Sequence, residues 1–383
     1  MPAPPPLLEQ IRALVATPSI SSFEPERNSS NRAVIDLLAS WLEDLGFRIE
    51  IQDLETTPAK ANLIATLGQG DDGLILAGHT DTVPCDPALW RRDPFTLHQA
   101  DDRLYGLGTA DMKAFLALAI EAVRDLRVRD LKRPLVLLAT ADEESGMLGA
   151  RTLAAAGRRL GQHCIIGEPT GLKPIRQHKG VMDERIRLIG QSGHSSDPTL
   201  GNSALEGMHA VIGVLLAWRS ELQLRHRDAA FSVPVPTMNL GHIHGGDNPN
   251  RICGECELTL DLRPLPGMSM SDLRADLRAR VQAVADTRGL AVEFEAIFDG
   301  LPPLATSADA HIVRLAEQLA GASAGSAAFG TEGPYYNALG SETVILGPGD
   351  IAQAHQPNEY LALDRLTPTI AILQRAIGRL CRQ

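Results

Sequence analysis

Apolar positions along this chain keep two different beats. In NRAVIDLLASWLEDLGF they recur every three to four residues up to Gly46, the spacing of one helix face, while RIEIQDL and ANLIATL alternate residue by residue, the spacing of one strand face. GLILAG, PLVLLAT and HCIIGE are short unbroken apolar runs, and AFLALAIEAVRDLRV and GARTLAAAGRRL between them return to the helical beat. Unbroken apolar strands alternating with helices predict an α/β domain whose mixed sheet is flanked by helices on both faces, because such strands have no polar side to show to water. Ligand residues in such sheets gather at the carboxyl ends of the strands, and His79, Glu143 and Glu168 lie at or just past predicted strand ends.

Near Gly180 the beat changes. MDERIRLIGQ alternates, SALEGMHAVIGVLLAWRSEL is helical, PTMNLGHIH and CELTLDLRPL alternate, MSDLRADLRARVQAVADT is helical, and LAVEFEAIF alternates again. The order βαββαβ predicts a compact α+β domain of residues 180–299, inserted into a first domain made of residues 1–179 and 300–383. Beyond Gly300 a helix (ADAHIVRLAEQLAG), a strand (TVILG) and a final helix (RLTPTIAILQRAIGRLCRQ) return to the first sheet.

Composition narrows the partners. The chain has 383 residues, 44% of them hydrophobic, enough for two cores, and a formal charge of -11 with no block of Lys and Arg. Phosphate-rich surfaces need basic residues to neutralise them, so neither nucleic acid nor an anionic membrane is expected, and a small molecule is. Five cysteines (Cys85, Cys164, Cys253, Cys256 and Cys381) are few and odd in number, which fits a reducing, cytoplasmic setting. MPAPPPLLEQIRALVATPS lacks the basic and apolar segments of a secretion signal, and AVIGVLLAW is far short of a bilayer span.

The candidate chemistry is spread along the chain. His79 and Asp81 in LAGHTDTVP stand two residues apart, so on an extended backbone both side chains face the same way. Asp111 follows in LGTADMK, Glu143 and Glu144 in TADEESG, Glu168 in GEPT and His355 in AQAHQPNE. Taken singly, a His-x-Asp is a common hydrogen-bonded turn and a Glu-Glu pair a common helix start. Jointly, two imidazoles and several carboxylates at strand ends suit a pair of divalent, zinc-like ions sharing one carboxylate.

In order, GHTDTVP, GLGTADMK, ADEESG, GEPT, GHSS and AHQPNE resemble the motifs of the co-catalytic zinc aminoacylase and carboxypeptidase family over nearly the whole chain. HIHGGDNPNRIC, LDLRPLPGM, GTEGPYYNALG and LGPGDIAQAHQPNEY are most similar to its bacterial arginine-pathway members. The resemblance implies two divalent ions per subunit, zinc first and cobalt second. It places His79 and Glu168 on one ion, Glu144 and His355 on the other, and Asp111 between them, followed by a cis peptide. It gives the Asp81 carboxylate the other ring N–H of His79, and makes Glu143 the free carboxylate that takes a proton from water. It further implies a homodimer whose inserted domains act as lids and dimerisation surfaces, with His194 of GQSGHSS reaching the oxyanion in the other subunit's site. From the residues alone His194 reads as a loop histidine.

The implied reaction is hydrolysis of N2-acetyl-L-ornithine to L-ornithine and acetate. Acetylcitrulline or succinyl-diaminopimelate could be served by the same machinery. A metal-dependent binding protein without turnover is the alternative of a different class, and the presence of Glu143 argues against it, since a binder needs no free carboxylate beside a ligand. For the α-carboxylate of an N-acyl amino acid, the fork of Arg263 in DLRPLPG is the preferred reader, with Asn250 and Arg251 in NPNR and Gly330 and Thr331 in FGTEG as further candidates. Glu332, ahead of Tyr335 and Tyr336 in TEGPYY, either meets a cationic side-chain amine or starts a helix. Cys253-x-x-Cys256 has no second pair and reads as structural, GQGDDG as a turn, and His242 with His244 as a surface pair.

Overall fold

The strand Leu74–His79 is buried along its whole length, and its neighbours explain why. It lies parallel between Leu135–Thr140 and His163–Pro169, and Glu342–Gly347 adds a further parallel strand beyond the latter. The computed structural model, which describes residues 4–382, builds these into a mixed nine-stranded sheet. Its order is Arg48–Leu54, Lys60–Leu67, Leu135–Thr140, Leu74–His79, His163–Pro169, Glu342–Gly347, Ile175–His178 and Leu304–Ala305, with Gly325–Ala327 paired to Ile175–His178. Successive side chains of a strand point to opposite faces, so Leu74 and Leu76 pack with Leu38, Phe115 and Leu373, whereas Ile75 and Ala77 pack with Leu153 and Tyr336. Both faces are therefore cores. Truncating Leu76 to Ala would cost about 2–5 kcal/mol, the range for an aliphatic side chain removed from a packed interior.

One close approach bears on the site. A Cβ on Gly167 would stand 2.0 Å from the Phe115 ring, so only glycine lets the helix Lys113–Val123 lie this near the strand that carries Glu168.

Contact density divides the described chain into two units, the first running to Arg176 and including Thr306–Gly325 and the residues from Thr331 onward. The second takes Gln177–Ala305 and Ser326–Gly330. It is a four-stranded antiparallel sheet in the order Thr237–Gly245, Glu255–Arg263, Met182–Ile189, Ala291–Ala296. Helices Ala204–Arg225 and Met270–Arg288 cover one face, where Ile186, Leu188, Leu258 and Leu260 meet Met208, Leu215, Trp218 and Leu277. Both helices begin at a serine whose Oγ accepts a backbone N–H, Ser203 from Glu206 and Ser269 from Asp272, a cap worth about 1 kcal/mol. The chain order of these elements is the βαββαβ read from the sequence. No described helix is long and apolar enough to cross a membrane.

Candidate metal centre

Four neighbouring parallel strands of the first unit present their carboxyl ends side by side. His79 ends Leu74–His79, Glu143 and Glu144 follow Leu135–Thr140, Glu168 lies in His163–Pro169, and His355 follows Glu342–Gly347 after the turn Ile351–Gln353. Asp111 comes from the loop before helix Lys113–Val123, and its peptide to Met112 is cis, as the resemblance implied.

The donor atoms converge. His79 Nε2 is 3.1 Å from Asp111 Oδ1 and 3.7 Å from Glu168 Oε1, and His355 Nε2 is 3.0 Å from Glu144 Oε2 and 3.6 Å from Asp111 Oδ2. Asp111 thus reaches towards both imidazoles, one with each oxygen. Two overlapping sets, His79 with Glu143 and Glu168 and His79 with Asp111 and Glu144, bring their donor atoms within 4.8 Å of one another. Glu143, expected to stand free of the ligands, is therefore close enough to the His79 and Glu168 donors to belong to their cluster.

One expectation changes. His79 Nδ1 donates to the backbone carbonyl of Asp81 at 3.0 Å, while the Asp81 carboxylate lies 3.7 Å away and accepts the backbone N–H of Glu143 at 3.3 Å and of Glu144 at 3.1 Å. A carbonyl two residues on is within easier reach of the ring than a carboxylate swung towards the next loop. The tautomer is fixed either way, with the lone pair of Nε2 left towards Asp111 and Glu168, and Asp81 gains a second task in holding the loop of the two glutamates.

The electrostatics call for cations. Burial first, and Glu168 next, push Glu143 well above the usual carboxylate range. Burial and then Asp111 push Glu144 and Glu168 the same way. Burial disfavours a charged His79, yet its hydrogen bond to Asp111 and the surrounding carboxylates lift it well above an ordinary imidazole, and the bond to Glu144 raises His355 to about 9. Four carboxylates face two imidazoles, and Glu168 Oε1 is buried with no hydrogen-bond partner. A buried polar atom without a partner is costly, and a set of imidazole nitrogens and carboxylate oxygens is the chemistry that divalent ions bind. The residues fit a metal cluster.

The sequence reading missed a residue that organises this centre. Glu359 is buried, and its carboxylate accepts the backbone N–H groups of Gly108 at 3.0 Å, Ala110 at 2.7 Å and Asp111 at 3.0 Å. It ties the Asp111 loop to the segment that carries His355. Its one signal in the sequence was its place at the end of AHQPNE.

The other expected site residues separate. Thr331 is buried, with Oγ1 accepting the N–H of Gly333. Of the two readings of Glu332, a contact for a substrate amine or a helix start, the structure shows the second: it precedes helix Gly333–Ala338, is 1% exposed, and its Oε2 accepts from Thr140 Oγ1 at 2.8 Å and Tyr336 OH at 2.7 Å. Burial pushes it up to about 7, and it belongs to the interior at the start of helix Gly333–Ala338. In the second unit, His194, Asn250 and Arg251 meet on one exposed patch. His194 bridges to Arg251 and accepts from Ser196 Oγ at 2.7 Å, Asn250 O accepts from Ser195 N, and Arg251 pairs with Asp247 at 2.6 Å. Arg263 holds the Asp261 carboxylate through Nε, at 2.7 and 3.0 Å, and lines a cavity of about 470 Å³ with Lys179, Phe231 and Thr237. Gly330 falls in this unit too.

The model of peptidase family M20/M25/M40 matches residues 75–379. The acetylornithine deacetylase of Edwardsiella ictaluri (strain 93-146) is 50% identical over 372 residues, 97% of each chain, and that of Pasteurella multocida (strain Pm70) is 47% identical over 377 residues, 98% of each. Among solved structures, aminopeptidase PepT from Bacillus cereus ATCC 10987 superposes with a TM-score of 0.76 at 22% identity over 98% of each chain, a likeness of fold.

Proposed function

We propose a reaction for this chain, which belongs to peptidase family M20/M25/M40: it removes the acetyl group from N2-acetyl-L-ornithine, giving L-ornithine and acetate. The observation that carries this is the identity of 50% along nearly the full length to a relative named acetylornithine deacetylase. The protein is a metal-dependent hydrolase. His79 and Glu168 would hold one ion, Glu144 and His355 the other, and Asp111 would serve both; zinc is the fitting metal and cobalt a substitute. The chemistry such ions would supply is polarisation of the acetyl carbonyl and acidification of water.

The chain's own groups do the rest. Glu143, whose proton affinity is raised by burial and by Glu168, takes a proton from the attacking water as its oxygen bonds to the acetyl carbon. It then hands a proton to the ornithine nitrogen as the C–N bond breaks. His194 of a second copy donates a hydrogen bond to the oxyanion, and Arg263, assisted by Asn250, Arg251 and the Gly330 backbone, binds the α-carboxylate. The working form is a cytoplasmic homodimer.

Two experiments test this. On one zinc-loaded preparation, kcat/KM should be highest for N2-acetyl-L-ornithine; a higher value for acetylcitrulline, acetylmethionine or succinyl-diaminopimelate would replace the substrate. Mixing inactive His194→Ala with inactive Glu143→Ala under subunit exchange should restore part of the activity, and no recovery despite proven exchange would make the in-trans histidine untenable.

A further inference from the structure

We propose that Lys60 is a positioning residue for the reaction, holding the loop of Glu143 in place through Asp142. The proposal rests on Glu143 being the base. Lys60 opens the strand Lys60–Leu67 and its side chain is 2% exposed. Its Nζ donates to Asp142 Oδ1 at 2.7 Å and to Ser21 Oγ at 2.7 Å. The same Oδ1 accepts from Ser145 Oγ at 2.9 Å and from Ser21 Oγ at 3.3 Å, so one carboxylate oxygen gathers three donors around it.

Register explains how a residue so distant in sequence arrives there. Lys60–Leu67 runs antiparallel to Leu135–Thr140 with Leu63 opposite Ala139, and continuing that register by three residues sets Lys60 opposite Asp142. Asn62, two residues on and on the same side, accepts the N–H of Ala141 at 3.1 Å and donates to the carbonyl of Gly149 at 3.0 Å. The edge of one strand therefore grips the turn that leaves the next.

That turn needs gripping. Asp142 has a φ of 67°, in the left-handed region that residues with a side chain adopt uncommonly, although aspartate more readily than most. The next two residues are Glu143 and Glu144, whose backbone N–H groups rest on Asp81. The turn is thus held at its backbone by Asp81 and at its first side chain by Lys60. A buried Lys–Asp pair is no better for stability than a well-packed apolar pair, so what it adds here is a fixed direction for the carboxylate and the turn behind it. Without the ammonium, the Asp142 carboxylate, only 16% exposed, would keep two serine donors but lose its cationic partner beside Glu143 and Glu144, and the turn would move to relieve it.

The test uses the zinc-loaded full chain with N2-acetyl-L-ornithine and compares Lys60→Met, Lys60→Arg, Asp142→Asn and Lys60→Met/Asp142→Asn, with ion content and melting temperature measured on each. Lys60→Met should lower kcat by about 10–100-fold, the scale of a misplacement near 1 Å, while KM stays within about twofold and both ions remain. Lys60→Arg should recover part of kcat, and the double variant should lose no more than Lys60→Met alone, because the two residues act as one device. Wild-type kcat in folded Lys60→Met, or losses that multiply in the double variant, would overturn the proposal. If Lys60→Met does not fold, the double variant carries the test, since it buries no lone charge: a lowered kcat supports the proposal and a wild-type kcat ends it. Glu143→Gln, assayed alongside, separates the two readings. If it turns over normally the base assignment falls, and the role of Lys60 with it; if it is inactive while Lys60→Met is normal, only Lys60 is wrongly placed.

Discussion

The two units treat their acidic residues in opposite ways. On the open face of the four-stranded sheet, Arg185 reaches Glu295 at 2.7 Å and Glu257 at 3.4 Å, and Arg187 reaches Glu255 at 2.7 Å and Glu293 at 3.3 Å. Each of these carboxylates is answered by an arginine on the neighbouring strand, and all of them touch water. At the strand ends of the first unit, Asp111, Glu143, Glu144 and Glu168 crowd together out of water with two imidazoles between them. The first arrangement pairs opposite charges within the chain. The second sets four carboxylates against two imidazoles, an imbalance that suits cations from outside and marks a candidate reactive site.

Removing the proposed base and removing a proposed ion ligand should have distinct outcomes. Glu143→Ala should keep both ions and lose about 10²-fold or more in kcat, whereas Glu144→Ala should lose an ion. Kinetics and metal analysis on both variants decide it, and equal ion loss would erase the distinction between base and ligand.

A smaller effect should appear when the ions are stripped by a chelator. Burial raises Glu332 to about 7 and Glu359 to about 8, and the hydrogen bond to Glu144 raises His355 to about 9. A group that holds its proton more tightly folded than unfolded adds stability below its unfolded pKa and loses it as pH climbs through the folded value. The chelated protein should therefore melt at a higher temperature near about pH 5 than near about pH 8, and the zinc-loaded protein should show a flatter profile. A chelated protein that is more stable at the higher pH would contradict the picture of uncompensated carboxylates.

The smallest effect belongs to the paired face. Arg185→Met should change unfolding free energy by less than about 1 kcal/mol, since exposed pairs exchange one well-solvated state for another. A loss of several kcal/mol in chemical denaturation would mean that the ladder is a structural brace after all.

Much of this was legible in the sequence because it depends on local periodicity. The switch between apolar runs and alternation separated the mixed sheet from the βαββαβ unit, and the polar residues at the ends of the buried runs are those that converge on the centre. Glycine marked the end of the early helix at Gly46, which has a positive φ. What escaped needed register or tertiary pairing. His98–Ala100, Arg103–Tyr105 and Tyr360–Ala362 form a small sheet of three-residue strands, too short for any period to show. The helix Leu7–Val15 was hidden behind a proline-rich opening. The Asp81 carboxylate, Glu359 and Lys60 each hold backbone or side chains 62 to 251 positions away, and nothing in a linear pattern says which loops will meet. For Glu332 the sequence left open a substrate contact or a helix start, and only the packing of Tyr336 and Thr140, which takes it inside, decides for the second.

The strand Glu342–Gly347 slots in beside His163–Pro169, although the whole second unit is written between them in the gene. On the ribosome, then, the amino-terminal portion emerges with an unfilled edge where that strand belongs, and with His79, Glu143 and Glu168 already made but His355 still untranslated. The contact of His355 with Glu144 is for that reason the last part of the centre to be made. A polypeptide ended anywhere between Glu168 and His355 carries His79, Asp111, Glu143, Glu144 and Glu168 but never the second imidazole.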